Sequence, residues 1–255
     1  HSLNQGIKLF KKAIALDEKD DTAHSFLLFY SNYCPKHTSE EIFSYYQQFN
    51  DKFGLPLQQE WKPFTPVKKP KKKLRIGYVS PDFRNHSMKG FLKPVLANHN
   101  HKNFEIYAFA ELSKEDHVTK QYQSYVDHWI PTQNLTDQQM VQKIRDLEID
   151  ILVDLAGHTE YNRLLVFARK PAPVSVTWLG YGYTTGLTAI DYFLTDKVMV
   201  PTGSEHLFSE QPWRLSNYSF CCYQAKTAMG DVGPLPALEN GHITSVSYTH
   251  LRAHE

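Results

Sequence analysis

"LRIGYVSPDFRNHSMKGFLKPVL", residues 74–96, joins one apolar run to another through a polar turn that carries Asp82, Arg84, Asn85, His86 and Lys89. Leu74 to Val79 lacks strict alternation, which marks a strand buried on both faces, and the spacing from Met88 to His99 predicts a helix. Outward from this unit the same texture recurs. Further strands are predicted at Phe104 to Ala110, Ile149 to Leu155, Val174 to Leu179 and Tyr192 to Thr195, with helices at Thr136 to Leu147 and Arg163 to Arg169. Such strands separated by helices predict a parallel sheet covered on both faces, a Rossmann-like α/β domain. Ligands of that architecture bind at the carboxyl ends of the strands.

Upstream the periodicity changes. Ile7, Phe10, Ala13, Ile14 and Leu16 follow the spacing of an amphipathic helix, residues 22–33 are apolar and aromatic, and Glu40 to Phe49 reads as a further helix. Thr38 or Ser39 is its predicted N-cap, ahead of Glu41. "GIKLFKKAIALDEKD" resembles the second half of a tetratricopeptide repeat, so residues 1–50 are expected to be a helical repeat remnant and connector. Residues 51–73 hold four prolines and six lysines from Gly54 onward and read as an extended linker. The Lys68 to Lys73 cluster reads as its solvated face, with an acidic partner as the other reading.

Bulk composition excludes several classes. A net charge of +1 gives no general attraction to nucleic acid or anionic membrane. Cys34 and the adjacent Cys221 and Cys222 make neither a disulfide framework nor a metal-ligand spacing, so a reducing, cytoplasmic setting is expected. No apolar run approaches the ~20 residues that span a bilayer. "HSLNQGIKLF" has no signal-peptide pattern and no initiating Met. The 13 histidines include no ligand-spaced cluster, so no metal is expected. Walker A, GxGxxG and GxSxG motifs are all missing from the sequence.

Chemistry is therefore sought at the strand ends. The turn after Val79 feeds a helix N-terminus, where free N–H groups favour an anion such as phosphate. His86 is suited to act as a base near neutral pH, with Asp82 four residues earlier to orient it or relay its proton. Helix capping by Asp82 and Asn85 explains the same residues. "ILVDLAGHT" sends Asp154, Gly157, His158 and Thr159 out of the next strong strand, and "VTWLGYGYTTG" does so for Gly180, Tyr181, Gly182, Thr184, Thr185 and Gly186. A hydrogen-bonded structural histidine and a plain tight turn account for each loop separately. Convergence of three such loops on one edge favours a site.

These segments, with "YNRLLVFARKPAPVSV" and "DYFLTD", resemble the bacterial O-linked N-acetylglucosamine transferases, from about Gly6 to Ile243. The resemblance implies the Rossmann-like N-terminal half of a GT-B glycosyltransferase (residues 74–244), preceded by the tetratricopeptide-repeat remnant. It also implies inverting transfer of N-acetylglucosamine, or a related hexose, from a UDP-sugar to Ser or Thr of acceptor proteins. No cofactor, nucleic acid or membrane is implied. His86 and Asp82 match the family's histidine and aspartate discussed as proton acceptor or relay. Leu179, Gly180 and Tyr181 match "WLGY", whose backbone faces the sugar. Thr159 and Thr185 match its neighbouring loops, His158 takes the family's glycine-aromatic-threonine position, and His24 matches a connector histidine. Where the family reads "GYPGTTG", this chain places Gly182 and Tyr183 after Tyr181. The family continues beyond Thr244 into a second nucleotide-binding domain. "SVSYTHLRAHE", residues 245–255, instead reads as a translated transposase-library adapter, so a truncated gene with little activity of its own is expected. A non-catalytic repeat-containing binding module and a GT-B nucleotide-sugar epimerase are the alternatives.

Overall fold

The computed structural model describes residues 3–64, 73–219 and 233–244. Residues 68–72 of the lysine cluster, Cys221, Cys222 and the adapter-like 245–255 lie outside the described residues. Two compact units divide the chain, His1–Tyr223 and Gln224–Glu255. Within the second, helix Pro236–Asn240 begins on a proline and stops at Gly241, whose φ of 69° is the left-handed C-cap conformation.

The first unit opens with α1 (Leu3–Leu16), α2 (Asp21–Ser31) and α3 (Ser39–Phe49). Phe10 of α1 meets Phe26 and Tyr30 of α2 at ring-centroid distances of 5.5 and 5.3 Å. Thr38 caps α3 in a reciprocal box: Glu41 N–H donates to Thr38 Oγ1 at 3.2 Å, and Thr38 N–H donates to Glu41 Oε2 at 2.9 Å. Thr38→Ala is expected to cost about 1 kcal/mol in urea unfolding. An unchanged midpoint would show that tertiary contacts alone set this terminus.

Residues 51–60 are helical, not extended as predicted. A π turn, Asn50–Gly54, runs into a 3-10 turn, Leu55–Glu60. The prolines misled because Pro56 occupies the first turn, where a missing N–H is tolerated. Asn50 is buried and its Oδ1 accepts the Thr188 N–H at 3.1 Å, anchoring the π turn to the sheet domain. Extended backbone begins only at Trp61, whose indole N–H donates to the Ala168 carbonyl at 2.8 Å.

Seven parallel strands follow: β1 (Leu74–Ser80), β2 (Phe104–Ala110), β3 (His128–Pro131), β4 (Ile151–Asp154), β5 (Val174–Thr177), β6 (Tyr192–Thr195) and β7 (Gln211–Arg214). The order is β3-β2-β1-β4-β5-β6-β7. From β1 the chain steps outward to β3 and returns beside β1 at β4, so the switch point lies between β1 and β4. The helices are α4 (Lys89–Ala97), α5 (His117–Gln123), α6 (Asp137–Asp146) and α7 (Leu164–Ala168). Sequence periodicity did not predict β3, β7 or α5. The two strands are short, partly exposed edges, and α5 is started by the box between Asp116 and Thr119, not by an apolar stripe.

Val79 of β1, Phe109 of β2 and Leu152 of β4 share a core with Ile144 of α6, Phe167 of α7, and Leu28, Tyr46 and Phe49 of the N-terminal helices. On the opposite side Ile76, Ile106 and Val153 pack with Leu92, Leu96 and Tyr122. The helical segment thus shares a core with the sheet. The predicted double cover is partial. Ile151, Val153, Val176, Leu194 and Trp213 border an apolar groove of about 530 Å³, open among the described residues. No helix among those residues is long and apolar enough to cross a membrane.

Candidate functional site at the switch-point edge

Register brings three strand ends together. Val79 pairs with Asp154, and Asp154 with Thr177. Leu155 N–H then donates to the Val79 carbonyl at 3.0 Å and Trp178 N–H to the Asp154 carbonyl at 2.9 Å. The loops after β1, β4 and β5 therefore leave from one edge, as the sequence predicted.

In the β1 loop, Asp82 is buried and its N–H donates to Ser80 Oγ at 2.9 Å. Arg84 donates to its Oδ1 at 3.2 Å. Its Oδ2 lies 3.7 Å from Nδ1 of His86, whose side chain is 33% exposed. That separation is an ion-pair distance, longer than a hydrogen bond. Met88 N–H reaches the same Nδ1 at 3.4 Å. The capping reading does not hold, since no side chain caps α4. Asn85 instead accepts from Lys89 Nζ, and its N–H donates to Asp116 at the start of α5. The phosphate expectation loses its free amides. Lys89, Gly90 and Phe91 N–H already donate to the carbonyls of His86, Ser87 and Met88.

The β4 and β5 loops interlock. Asp154 accepts the N–H groups of Ala156 at 3.1 Å and Gly157 at 2.9 Å, and the Thr177 hydroxyl at 2.7 Å. Burial pushes its carboxyl above the usual range against those three bonds. Gly157 has φ 53°, and a Cβ there would lie 2.2 Å from Tyr181 Cβ. At Gly180 a Cβ would fall 1.8 Å from the Leu155 carbonyl oxygen. Gly180 N–H folds back onto the Trp178 carbonyl at 2.9 Å, a γ-turn about Leu179, whose φ is 71°. A left-handed leucine costs roughly 1–2 kcal/mol, and this strain sits in the turn that the family resemblance expects to face the sugar.

The candidate contact residues divide into two groups. Leu179, Gly180 and Thr159 are half-buried and reach the surface. Thr159 Oγ1 donates to the Ala156 carbonyl at 2.8 Å. His158 and Thr185 are fully enclosed, so they cannot touch a ligand here and serve to hold the loops. The Thr185 carbonyl can only accept, so His158 carries its proton on Nε2 (2.8 Å), and Nδ1 accepts the Ser25 hydroxyl at 3.0 Å. Burial pushes the imidazole down to about 4, and it stays neutral. Tyr181 is likewise a strut: its buried hydroxyl meets Tyr46, and Asn32 donates to it at 2.8 Å. His24 packs edge-on against Phe53, with Nε2 buried and unpartnered. Desolvation, then Lys52, lowers its pKa.

Two positioning residues escaped the sequence reading. Arg163 donates to Glu111, Asp137 and the Thr132 and Leu135 carbonyls, pinning the end of the β4 loop. Glu210, buried just before β7, accepts from Thr184 and Thr185. Arg163 lies within the quoted "YNRLLVFARKPAPVSV" but no local pattern marks its role, and Glu210 lies in no quoted segment; only the fold brings them to the loops.

An all-parallel sheet of this order, with the loops after β1, β4 and β5 leaving one edge at the switch point, is a Rossmann-like domain of the class that binds ligands at its strand carboxyl ends. Residues 51–226 match the model of Glycosyl transferase family 41, and the chain belongs to that family. It is 34% identical over 224 residues, 86% of this chain and 24% of the relative, to the Solanum lycopersicum protein named "Probable UDP-N-acetylglucosamine--peptide N-acetylglucosaminyltransferase SPINDLY". The Arabidopsis thaliana relative SEC, of the same printed activity, is 37% identical over 169 residues, 63% of this chain and 17% of that one. Among solved structures, a lysine-to-methionine mutant of the Thermobaculum terrenum O-GlcNAc transferase superposes with a TM-score of 0.83 at 34% identity, covering 88% of this chain and 43% of that one. The chain thus spans about a quarter of the length of the curated relatives it matches most extensively.

Proposed function

We propose that the chain forms the acceptor-side wall of an inverting protein O-glycosyltransferase. N-acetylglucosamine, or a related hexose, passes from its UDP donor to a Ser or Thr hydroxyl of a protein. The observation that carries this reading is the Asp82–His86 pair at the switch-point edge of a family 41 chain. Closure of the 3.7 Å gap on substrate binding exchanges the Met88 N–H at Nδ1 for the imidazole's own proton, directed to Asp82, and leaves the Nε2 lone pair for the attacking hydroxyl. The hydroxyl oxygen bonds to the anomeric carbon, the bond to UDP breaks, and the hydroxyl proton passes to His86. Leu179 and Gly180 supply backbone for the sugar, and His158, Tyr181 and Thr185 hold that backbone in place. No metal or further cofactor enters the scheme.

A reducing, cytoplasmic setting accords with the free, buried Cys34.

The test is a chimera in which this chain replaces its counterpart in the Thermobaculum terrenum enzyme, assayed with UDP-hexoses and protein acceptors. His86→Ala is expected to lower kcat about 100-fold or more, with UDP affinity unchanged. Wild-type turnover in that variant would remove His86 from the chemistry. Donor consumption without an acceptor would favour an epimerase.

A further inference from the structure

Glu210 is 2% exposed, and the hydrogen bonds around it fix the direction of the Thr184 proton. Thr184 Oγ1 accepts the N–H groups of Gly186 at 3.0 Å and Ser209 at 3.2 Å. A hydroxyl has two lone pairs and one proton. With both lone pairs taken, the Thr184 proton must go to Glu210 Oε2, which lies 2.5 Å away. Thr185 Oγ1 accepts the Leu187 N–H at 3.2 Å and donates to Glu210 Oε1, which also accepts the Thr185 N–H at 2.8 Å. Three donors thus converge on one side chain. No Lys or Arg pairs with it among the described residues.

Only a group that accepts at both terminal atoms fits this cradle. Glutamine has the same shape, yet its NH₂ would face a Thr184 hydroxyl whose lone pairs are occupied, or else a backbone N–H. Buried donors left unmet carry their full desolvation penalty. The effect would travel: the Thr185 carbonyl holds His158, which is bound to Ser25 of α2, while Gly180 and Tyr181 of the same loop contact Leu155 and Gly157.

We propose that Glu210 is a positioning residue for sugar transfer, its carboxyl, which accepts at both oxygens, fixing the Leu179 to Gly186 backbone at the strand edge. This rests on the glycosyltransferase reading above. In the chimera, Glu210→Gln is expected to lower kcat/KM for transfer about 10-fold or more while affinity for UDP alone changes less than twofold. Thr184→Val, isosteric but without a hydroxyl, should fall likewise, and Thr184→Ser should recover most of the activity. Glu210→Gln at wild-type kcat/KM, or Thr184→Val equal to Thr184→Ser, would overturn the proposal. Should Glu210→Gln not fold, the Thr184 pair decides alone. If the unsubstituted chimera transfers no sugar, the functional reading fails, and amide exchange in the 255-residue chain still tests the geometry. Glu210→Gln must then speed exchange at Thr185, Gly186, Leu187 and Ser209 about 10-fold relative to β1 and β2; equal rates would overturn the positioning role.

Discussion

Gly180→Ala is expected to destabilise the first unit by about 3 kcal/mol or more, the upper range for forcing atoms into a packed site. The new Cβ would lie 1.8 Å from the Leu155 carbonyl oxygen, 2.4 Å from its carbon and 2.9 Å from Ala156 N. None of these atoms can retreat cheaply. Leu155 N–H is bonded to Val79 of β1, and Ala156 and Gly157 N–H are both bonded to the buried Asp154 carboxylate. On the other side, Gly180 is held by the γ-turn to Trp178. Either the β4 loop leaves its cap or the β5 loop leaves the strand edge, and both changes displace the Leu179–Gly180 backbone proposed to face the sugar. Gly182 provides the control, since a Cβ there meets nothing within 4 Å. Gly182→Ala should stay within about 0.5 kcal/mol of the parent. Urea unfolding of both variants decides: equal midpoints would mean that the two loops are not locked through Gly180.

The sheet was legible because its inner strands are mostly apolar: β2, β4, β5 and β6 fall within or on the predicted segments, and β1 overruns its own by one residue, Ser80. β3 and β7 escaped for the complementary reason, being half-exposed edges of four residues each. The strand-end rule located the candidate site, because in a parallel sheet sequence position alone decides which end a loop leaves from. Local sequence does not decide which way a side chain in such a loop turns. His158 and Thr185 read as ligand contacts from their loops, yet their partners, Ser25 and Glu210, lie 133 and 25 residues away. Long-range pairing of this kind has no period and no motif. The Pro56 turn misled in the opposite sense: a proline expected to end regular structure starts a 3-10 turn instead.

His158 gives the second large effect, and its sign follows from its burial. The ring is fully enclosed by Tyr46, Phe49 and Tyr181, and both nitrogens are engaged in the neutral form. Its pKa falls from the usual 6.5 to about 4, chiefly because burial penalises the cation. Between those values the unfolded chain binds a proton that the native ring refuses. The stabilisation is therefore complete above the unfolded pKa and is lost as pH drops toward the folded one. At about 1.4 kcal/mol per pH unit, the span corresponds to about 3 kcal/mol. The buried carboxyls of Asp154 and Glu210, raised by desolvation, respond in the opposite sense. A difference measurement separates them. The stability of the parent minus that of His158→Gln, from urea melts, should be largest at pH 7 and above and shrink by about 3 kcal/mol by pH 4, because glutamine cannot take the proton. A difference independent of pH would mean that the imidazole is not held neutral between the two loops.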